Sequence, residues 1–271
     1  MKVFLDYKLN KSGKSKFLQR LEPALNKIGV TFSSKEKGCD VALAISRWRT
    51  KTKLPKVIRV DGVHLKENDK NNWKNERIRK GIKKSDIIIY QSKFAQREVK
   101  KHLKLKTKKE YVIYNGANPE DYDIEPIETG YDMNIIASAK WCHRNGERKH
   151  KGLKRVVKIF KNLEQEFEDA GFFVLGAVPK KYKTTGRIKF VGYLEEPELR
   201  RYLKTADVMY YMADYDWCPN ALVEAIVAGA KIKYNEKCEA AAELATLKPS
   251  DLYIDKIAEQ YKRVFGEAIR A

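Results

Sequence analysis

The sequence is short of the residues that build several familiar kinds of site. Four cysteines, Cys39, Cys142, Cys218 and Cys238, are scattered through 271 residues, and no two form a C-x-x-C pair. That spacing argues against a zinc ribbon or a disulfide framework and favours reduced thiols. No apolar run nears the roughly 20 residues that span a bilayer. The opening MKVFLDYKLN lacks the apolar stretch of a secretory leader, so a cytoplasmic location is expected. A complete phosphate-binding P-loop is missing as well. Gly13-Lys14-Ser15 has the tail of one, but the position five before Gly13 is Lys8. The loop needs glycine there so that backbone N–H groups can wrap closely round a phosphate. The stretch therefore reads as a glycine turn before a basic helix.

Negative charge is also in short supply. The chain holds 56 Lys and Arg against 36 Asp and Glu, a net charge of +20. Residues 1–125 carry 31 basic and 15 acidic residues, a net of +16; residues 126–271 carry 25 and 21, a net of +4. A merely lysine-rich chain would spread its charge evenly. Concentrated positive charge attracts polyanions, either nucleic acid or an anionic membrane face. What remains is ordinary for a folded protein: 43% hydrophobic and 34% charged residues, enough for a sizeable core.

Short apolar runs alternate with amphipathic ones. Strands are predicted at 3–7, 41–45, 57–60, 87–90 and 111–114, with helices at 14–27, 73–83 and 93–103, the last capped by Ser92. NGANPEDYDIEPIETGYD has no apolar period and reads as a linker. A second series follows, with strands at 133–138, 172–175, 188–191, 208–212 and 232–234. Its helices are predicted at 152–167, 197–203 and 219–228, and an amphipathic helix at 251–269 closes the chain. Alternation of this kind predicts α/β architecture: two Rossmann-like domains with parallel sheets, facing each other across a central cleft. The expected division is 1–124, 125–250 and a terminal helix, 251–271.

Two constellations carry chemistry. In DYDWCPNALVEAIVAGAKI, Asp216 and Glu224 stand eight apart on either side of a helix start at Pro219, Asn220 and Ala221. Such a start offers N–H groups and the positive end of a dipole to a diphosphate, and an acidic residue nearby can accept from sugar hydroxyls. In ASAKWCHRNGERKHKGLKRVV, Arg144 and Lys151 lie between a strand and a helix, where a guanidinium and an ammonium could clamp phosphate oxygens. The alternative for RKHKGLKR is a solvated basic turn.

In this order the pieces resemble the retaining glycosyltransferases of family 4, of the GT-B type. VIYNGANPEDYD, ASAKWCHRNGERKHKG, FFVLGAVP, IKFVGYLEEPELRRYLKTADVMYYMADYD and PNALVEAIVAGAKI carry the likeness over most of residues 85–234, and the first 80 residues match more loosely. The resemblance implies transfer of a sugar, with retention, from a nucleoside-diphosphate sugar (UDP- or GDP-linked) to an acceptor hydroxyl. It places Arg144 and Lys151 at the leaving diphosphate, with Lys140, Arg148 and Lys149 near enough to Arg144 to compete for that place. Asp216 falls at the first acid of the family's E-x7-E motif, near the transferred sugar, and Glu224 at the second, on the ribose. Gly192 and Tyr193 fall where the backbone meets the base. Gly13, Lys14 and His64 belong to the acceptor side, Gly13 in a turn that faces the cleft, and the likeness implies that the terminal helix, 251–271, packs back across that cleft.

This chain departs from the family pattern in having Asp at the first acidic position and Lys231 in AGAKI. Asp214-Tyr215-Asp216 and Asp121-Tyr122-Asp123 spell the D-x-D metal motif of the other glycosyltransferase fold. The spacing to Glu224 already accounts for Asp216, so no strict metal requirement is expected. The basic first half implies a polyanionic acceptor. A hydroxylated base in DNA, flipped out of its stack, is favoured over a lipid-linked or anionic glycan at a membrane surface. A non-catalytic nucleic-acid-binding protein on a glycosyltransferase scaffold is the alternative of another class.

Overall fold

A computed structural model describes residues 1–9, 13–65, 72–105, 108–143 and 146–271, and leaves aside the side chains of residues 72 and 143. The chain forms two compact units. One comprises Met1–Gly116 with Asp251–Ala271, the other Ala117–Ser250.

The first unit opens with β1 (Lys2–Asp6), α1 (Gly13–Lys27), β2 (Thr31–Ser33), β3 (Val41–Ile45) and β4 (Lys56–Val60). It continues with α2 (Asn72–Lys83), β5 (Ile87–Tyr90), α3 (Lys93–Leu103) and β6 (Lys109–Val112). The six strands pair in parallel in the order β2-β1-β3-β4-β5-β6. A parallel sheet covered on both faces needs apolar side chains on both, which is why β3 (VALAI) and β5 (IIIY) are buried throughout. The predicted cap of α3 is present: Ala95 N–H donates to Ser92 Oγ at 2.9 Å. β6 begins at Lys109, two residues before the predicted strand, because an edge strand can carry polar residues such as Lys109 and Glu110. β2, a three-residue edge strand, was too short to stand out in the sequence.

The second unit begins with a 3₁₀ turn, Pro119–Tyr122, inside the segment read as a linker. β7 (Met133–Ser138), the short hairpin of β8 (Cys142–His143) and β9 (Gly146–Glu147), and α4 (Leu153–Glu166) follow. Then come β10 (Ala170–Leu175), β11 (Ile188–Gly192), α5 (Glu196–Thr205), β12 (Val208–Tyr211), α6 (Asn220–Ala228), β13 (Lys231–Tyr234) and α7 (Glu239–Ala245). The five main strands pair in parallel in the order β11-β10-β7-β12-β13. The chain joins this unit at residue 117, where the predicted division falls after 124. The 3₁₀ turn draws it in: Tyr122 is buried and Asp121 pairs with Arg200 of α5 at 2.8 Å. α7 (EAAAELA) escapes sequence reading because two turns of mostly alanine show no apolar period.

The last helix, α8 (Ile254–Arg270), belongs to the first unit. Its Ile257, Tyr261, Val264 and Phe265 enter the core formed by Phe17, Leu18 and Leu21 of α1 and the strands beneath. No described helix is long and apolar enough to cross a membrane.

Each sheet has a point where strand order reverses. From β1 the chain builds outward to β2, then crosses to β3; from β7 it builds to β10 and β11, then crosses to β12. Connections on either side of such a point leave in opposite directions and open a crevice at the carboxyl ends of the strands, where ligands bind in α/β sheets.

Candidate functional site

In the second unit the reversal lies between β7 and β12, and the chain segments that follow these two strands carry the predicted charged residues. Lys151 ends a short 3₁₀ turn, Lys149–Lys151, after β7. Asp216 follows β12. The two segments are fastened together by their neighbours. Asp214 N–H donates to His150 O at 2.8 Å, and the rings of His150 and Tyr215 stack with centroids 5.0 Å apart. Arg155, in the first turn of α4, donates to Met212 O at 2.5 Å and to Asp214 Oδ1 at 2.8 Å. Gly152 makes the approach possible. Its φ is +78°, and a Cβ there would stand 2.0 Å from Met212 O.

Held this way, Lys151 Nζ donates to Asp216 Oδ2 and lies 3.4 Å from Tyr211 Oη. Tyr211 O–H donates to the same carboxylate oxygen at 2.8 Å, and Trp217 N–H to Oδ1 at 2.7 Å. Burial pushes the Asp216 carboxyl up, but the Lys151 ammonium and the three hydrogen bonds outweigh it and hold the group below the usual carboxylate range. Burial and the adjacent carboxylate drive Tyr211 the other way, well above an ordinary phenol. The Cys238 thiol nearby is pushed up to about 11, chiefly by burial, and stays protonated at neutral pH. The site is thus an ammonium, a carboxylate and a neutral phenol in contact at the reversal point, partly open to solvent.

The other residues expected on the donor side lie in the same unit. α6 runs from Asn220, one residue later than predicted, because Pro219 is its extended N-cap residue, with φ −68° and ψ 117°. Ala221 lies in the first turn and Glu224 in the second, partly buried. Gly192 ends β11 with φ +89° and accepts from Gly176 N–H at 2.6 Å. Tyr193 beside it is 68% exposed. These two stand at the end of β11, two strands from β7, on the far side from Asp216. Arg144 lies outside the described residues. Of the D-x-D carboxylates, Asp214 is held by Arg155 and Asp216 by Lys151. No cluster of three metal-ligating side chains occurs among the described residues.

The residues expected on the acceptor side belong to the first unit, Gly13 and Lys14 at its own reversal point and His64 after β4. Gly13 is the first residue of α1 and Lys14 the second. Lys14 Nζ donates to Ser46 Oγ at 2.9 Å, spanning from the β1 side to the β3 side, and lies 3.1 Å from Asp61 Oδ2. His64 is exposed after β4, its backbone tied to Asn75 by bonds of 2.9 and 3.0 Å. Partial burial, with Lys74 and Lys14 nearby, holds its imidazole below the ordinary value, hence neutral at pH 7.

Sequence reasoning missed Tyr211, Gly152 and the His150–Tyr215 stack. Each acts through a partner some 60 residues away along the chain. One sign was present: a glycine directly after Lys151, where the chain must turn into α4.

The structure superposes almost end to end on several solved proteins. HepE of Anabaena, in complex with UDP-glucose, gives a TM-score of 0.67 at 11% identity, covering 98% of this chain and 99% of that one. WaaG, a glycosyltransferase involved in lipopolysaccharide biosynthesis, gives 0.65 at 14%, covering 100% and 94%. Sucrose-phosphate synthase from Thermosynechococcus elongatus gives 0.63 at 12%, covering 99% and 96%. The fold is therefore that of the GT-B glycosyltransferases. Within it, residues 147–232 match the family model of glycosyl transferases group 1, a segment that includes Lys151, Asp216 and Glu224. No curated protein sequence matches the chain.

Proposed function

We propose that this protein is a retaining glycosyltransferase that moves a sugar from a nucleoside-diphosphate sugar to a hydroxyl of a polyanionic acceptor, in first place a hydroxylated base in DNA. One observation carries the reading: Lys151 meets Asp216 and Tyr211 at the reversal point of the second sheet, inside the segment that matches the group 1 family model.

As the bond from the sugar to the diphosphate breaks, negative charge builds on the phosphate oxygens. Lys151 and Arg144 answer that charge, and the first turn of α6, at Asn220 and Ala221, adds backbone N–H groups. In the free protein Lys151 faces Asp216. An arriving diphosphate shares the ammonium, and the Tyr211 and Trp217 hydrogen bonds keep Asp216 ionised beside the transferred sugar. Glu224 accepts from the ribose hydroxyls, while Gly192, free of a side chain, lets the backbone approach the base beside Tyr193. The departing phosphate takes the acceptor's proton, so no separate protein base is required. Gly13, Lys14 and the neutral His64 serve the acceptor side. The likeness to HepE, solved with UDP-glucose, favours a uridine diphosphate donor over a guanosine one.

The test is incubation with UDP- and GDP-sugars and DNA containing hydroxymethylated bases, read by mass spectrometry. Turnover is expected without added metal and in the presence of EDTA. Lys151→Ala should lower kcat by about 10²–10³-fold, and Glu224→Gln should chiefly raise the KM for the donor. If the wild-type protein neither hydrolyses nor transfers from any donor, the reading fails.

A further inference from the structure

The first unit holds a further concave feature. It is a hollow of about 520 Å³, with Arg47, Trp48 and Arg49 on one wall and Arg77, Lys80 and Lys84 on the other. Five of these six are cations, and no carboxylate is among the described residues that line it. Among the described residues, Arg47, Arg49, Arg77 and Lys84 have no acidic partner. Lys80 Nζ pairs with Glu76 Oε1 only at 4.0 Å, while Arg79 binds the same carboxylate at 2.6 Å.

The walls are built rather than incidental. Along α2, Trp73, Arg77 and Lys80 follow one another at intervals of four and three residues, which puts them on one face, and Lys84, just past its end, donates its N–H to Lys80 O at 3.3 Å and continues the line. The opposite wall is the chain between β3 and β4, and its backbone is pinned at several points. Ser46, at φ +61°, donates its N–H to Arg59 O at 2.7 Å. The buried Asp6 carboxylate accepts from Arg49 N–H at 2.6 Å and Thr50 N–H at 3.1 Å. Trp48 is turned inward, donating to Ser85 Oγ at 2.8 Å and packing on Phe4 and Ala42. Gly81 lets the walls meet: a Cβ there would stand 2.9 Å from Ile58 Cδ1 and 3.2 Å from Arg47 Cα. Long cationic side chains therefore project from a fixed frame into one space. Like charges gathered without counter-charge repel one another, and a polyanion relieves that repulsion.

We infer that this hollow docks the phosphodiester backbone of a nucleic-acid strand, with an unpaired base stacking on Trp73. Trp73 is 53% exposed at the edge of the cationic face, and the Arg77 guanidinium lies 4.8 Å from its ring centroid. An exposed ring beside a basic groove is how sequence-tolerant single-strand sites are made. A bilayer fits less well, because Trp48, the one large apolar side chain among the described lining residues, is committed to the protein interior. The inference deepens the proposed function, resting on its reading of the acceptor as a polyanion, but it does not depend on the donor site.

The test measures binding of the full chain to a fluorescein-labelled 20-nucleotide single strand by anisotropy across a salt series. Reversal of three charges, Arg77→Glu with Lys80→Glu and Lys84→Glu, should weaken binding at least tenfold. It should also flatten the dependence of log affinity on log salt by about 0.7 for each phosphate no longer neutralised. A control with the same charge change on α4 of the other unit, Lys154→Glu with Lys158→Glu and Lys161→Glu, should cost less than threefold. Trp73→Ala should cost about tenfold. Thermal melting checks the fold of each variant, and the milder pair Arg77→Gln with Lys84→Gln should still weaken binding measurably if the triple variant fails to fold. Equal losses in hollow and control variants would overturn the inference, as would absence of wild-type binding. Hollow-dependent binding to phosphatidylglycerol vesicles without oligonucleotide binding would overturn it in favour of a membrane. Glu224→Gln separates the two readings: it should impair sugar transfer while leaving oligonucleotide affinity unchanged. Oligonucleotide binding at the hollow by a wild-type protein that turns over no donor would remove the proposed function and leave this site standing.

Discussion

Arg59 is a charged side chain in β4 with 2% exposure. It lies over the Phe17 ring, 3.9 Å from the centroid, and donates to Asp61 Oδ1 at 2.7 Å, Gln91 Oε1 at 3.0 Å and Asn115 Oδ1 at 2.6 Å. A buried charge is tolerable when its donors are satisfied in this way, and removing one partner of such a pair costs about 3–5 kcal/mol. Asp61→Ala should therefore destabilise the protein by about 3 kcal/mol in urea unfolding. Burial pushes the Asp61 carboxyl up, but Arg59 and Lys14 hold it below its ordinary value of 3.8. A depressed carboxyl stabilises the fold above its unfolded pKa and loses that contribution as pH falls through the lower folded value. The Tm difference between wild type and Asp61→Asn should thus be steady at neutral pH and narrow below about pH 4. A gap that widens on acidification would contradict the pairing. KVIRVDGVH holds Arg59 and Asp61 together, but their burial was not legible there, because the other groups around the guanidinium, Phe17, Gln91 and Asn115, come from distant parts of the chain.

At the scale of elements, the connection before α4 decides whether Lys151 reaches Asp216. Gly152 cannot take a side chain without displacing the carbonyl of Met212, and its left-handed φ disfavours any other residue. Gly152→Ala is expected to cost about 1–3 kcal/mol of stability. It should also lower sugar transfer at least tenfold, by shifting Lys151 while keeping every charged group. Denaturant unfolding and single-donor kinetics on the same preparation check both. Unchanged kinetics would show that the close approach is not needed. The strands and helices flanking this turn were legible, since each strand is a short apolar run and each helix an amphipathic one. The pairing of Lys151 with Asp216 was not, because their spacing along the chain carries no information about which strands become neighbours.

At the scale of the molecule, the chain leaves the first unit after residue 116 and returns to it at 251. α8 completes that unit's core: Ile254, Ile257, Tyr261, Val264 and Phe265 are all 3% exposed or less. At about 2 kcal/mol for each buried side chain, the helix contributes roughly the whole net stability of a typical domain, about 5–15 kcal/mol. A chain ending at Ser250 should lose the protease resistance of residues 1–116 while 117–250 stays protected, as peptide mapping after limited proteolysis would report. Loss of protection in both units alike would indicate a single cooperative fold. The sequence by itself determined the α/β alternation, the amphipathic last helix, the crowding of positive charge into the first half and the residue types of the proposed phosphate site. These follow from local periodicity and composition, which each segment carries whatever its neighbours are. Tertiary structure alone decided that Lys151 lies against Asp216, that Arg59 is buried, that α8 belongs with the first unit, and that α2 and the β3–β4 connection enclose a cationic hollow. Each of these depends on strand order and on how closely two backbones approach, and both are set when distant segments pack together.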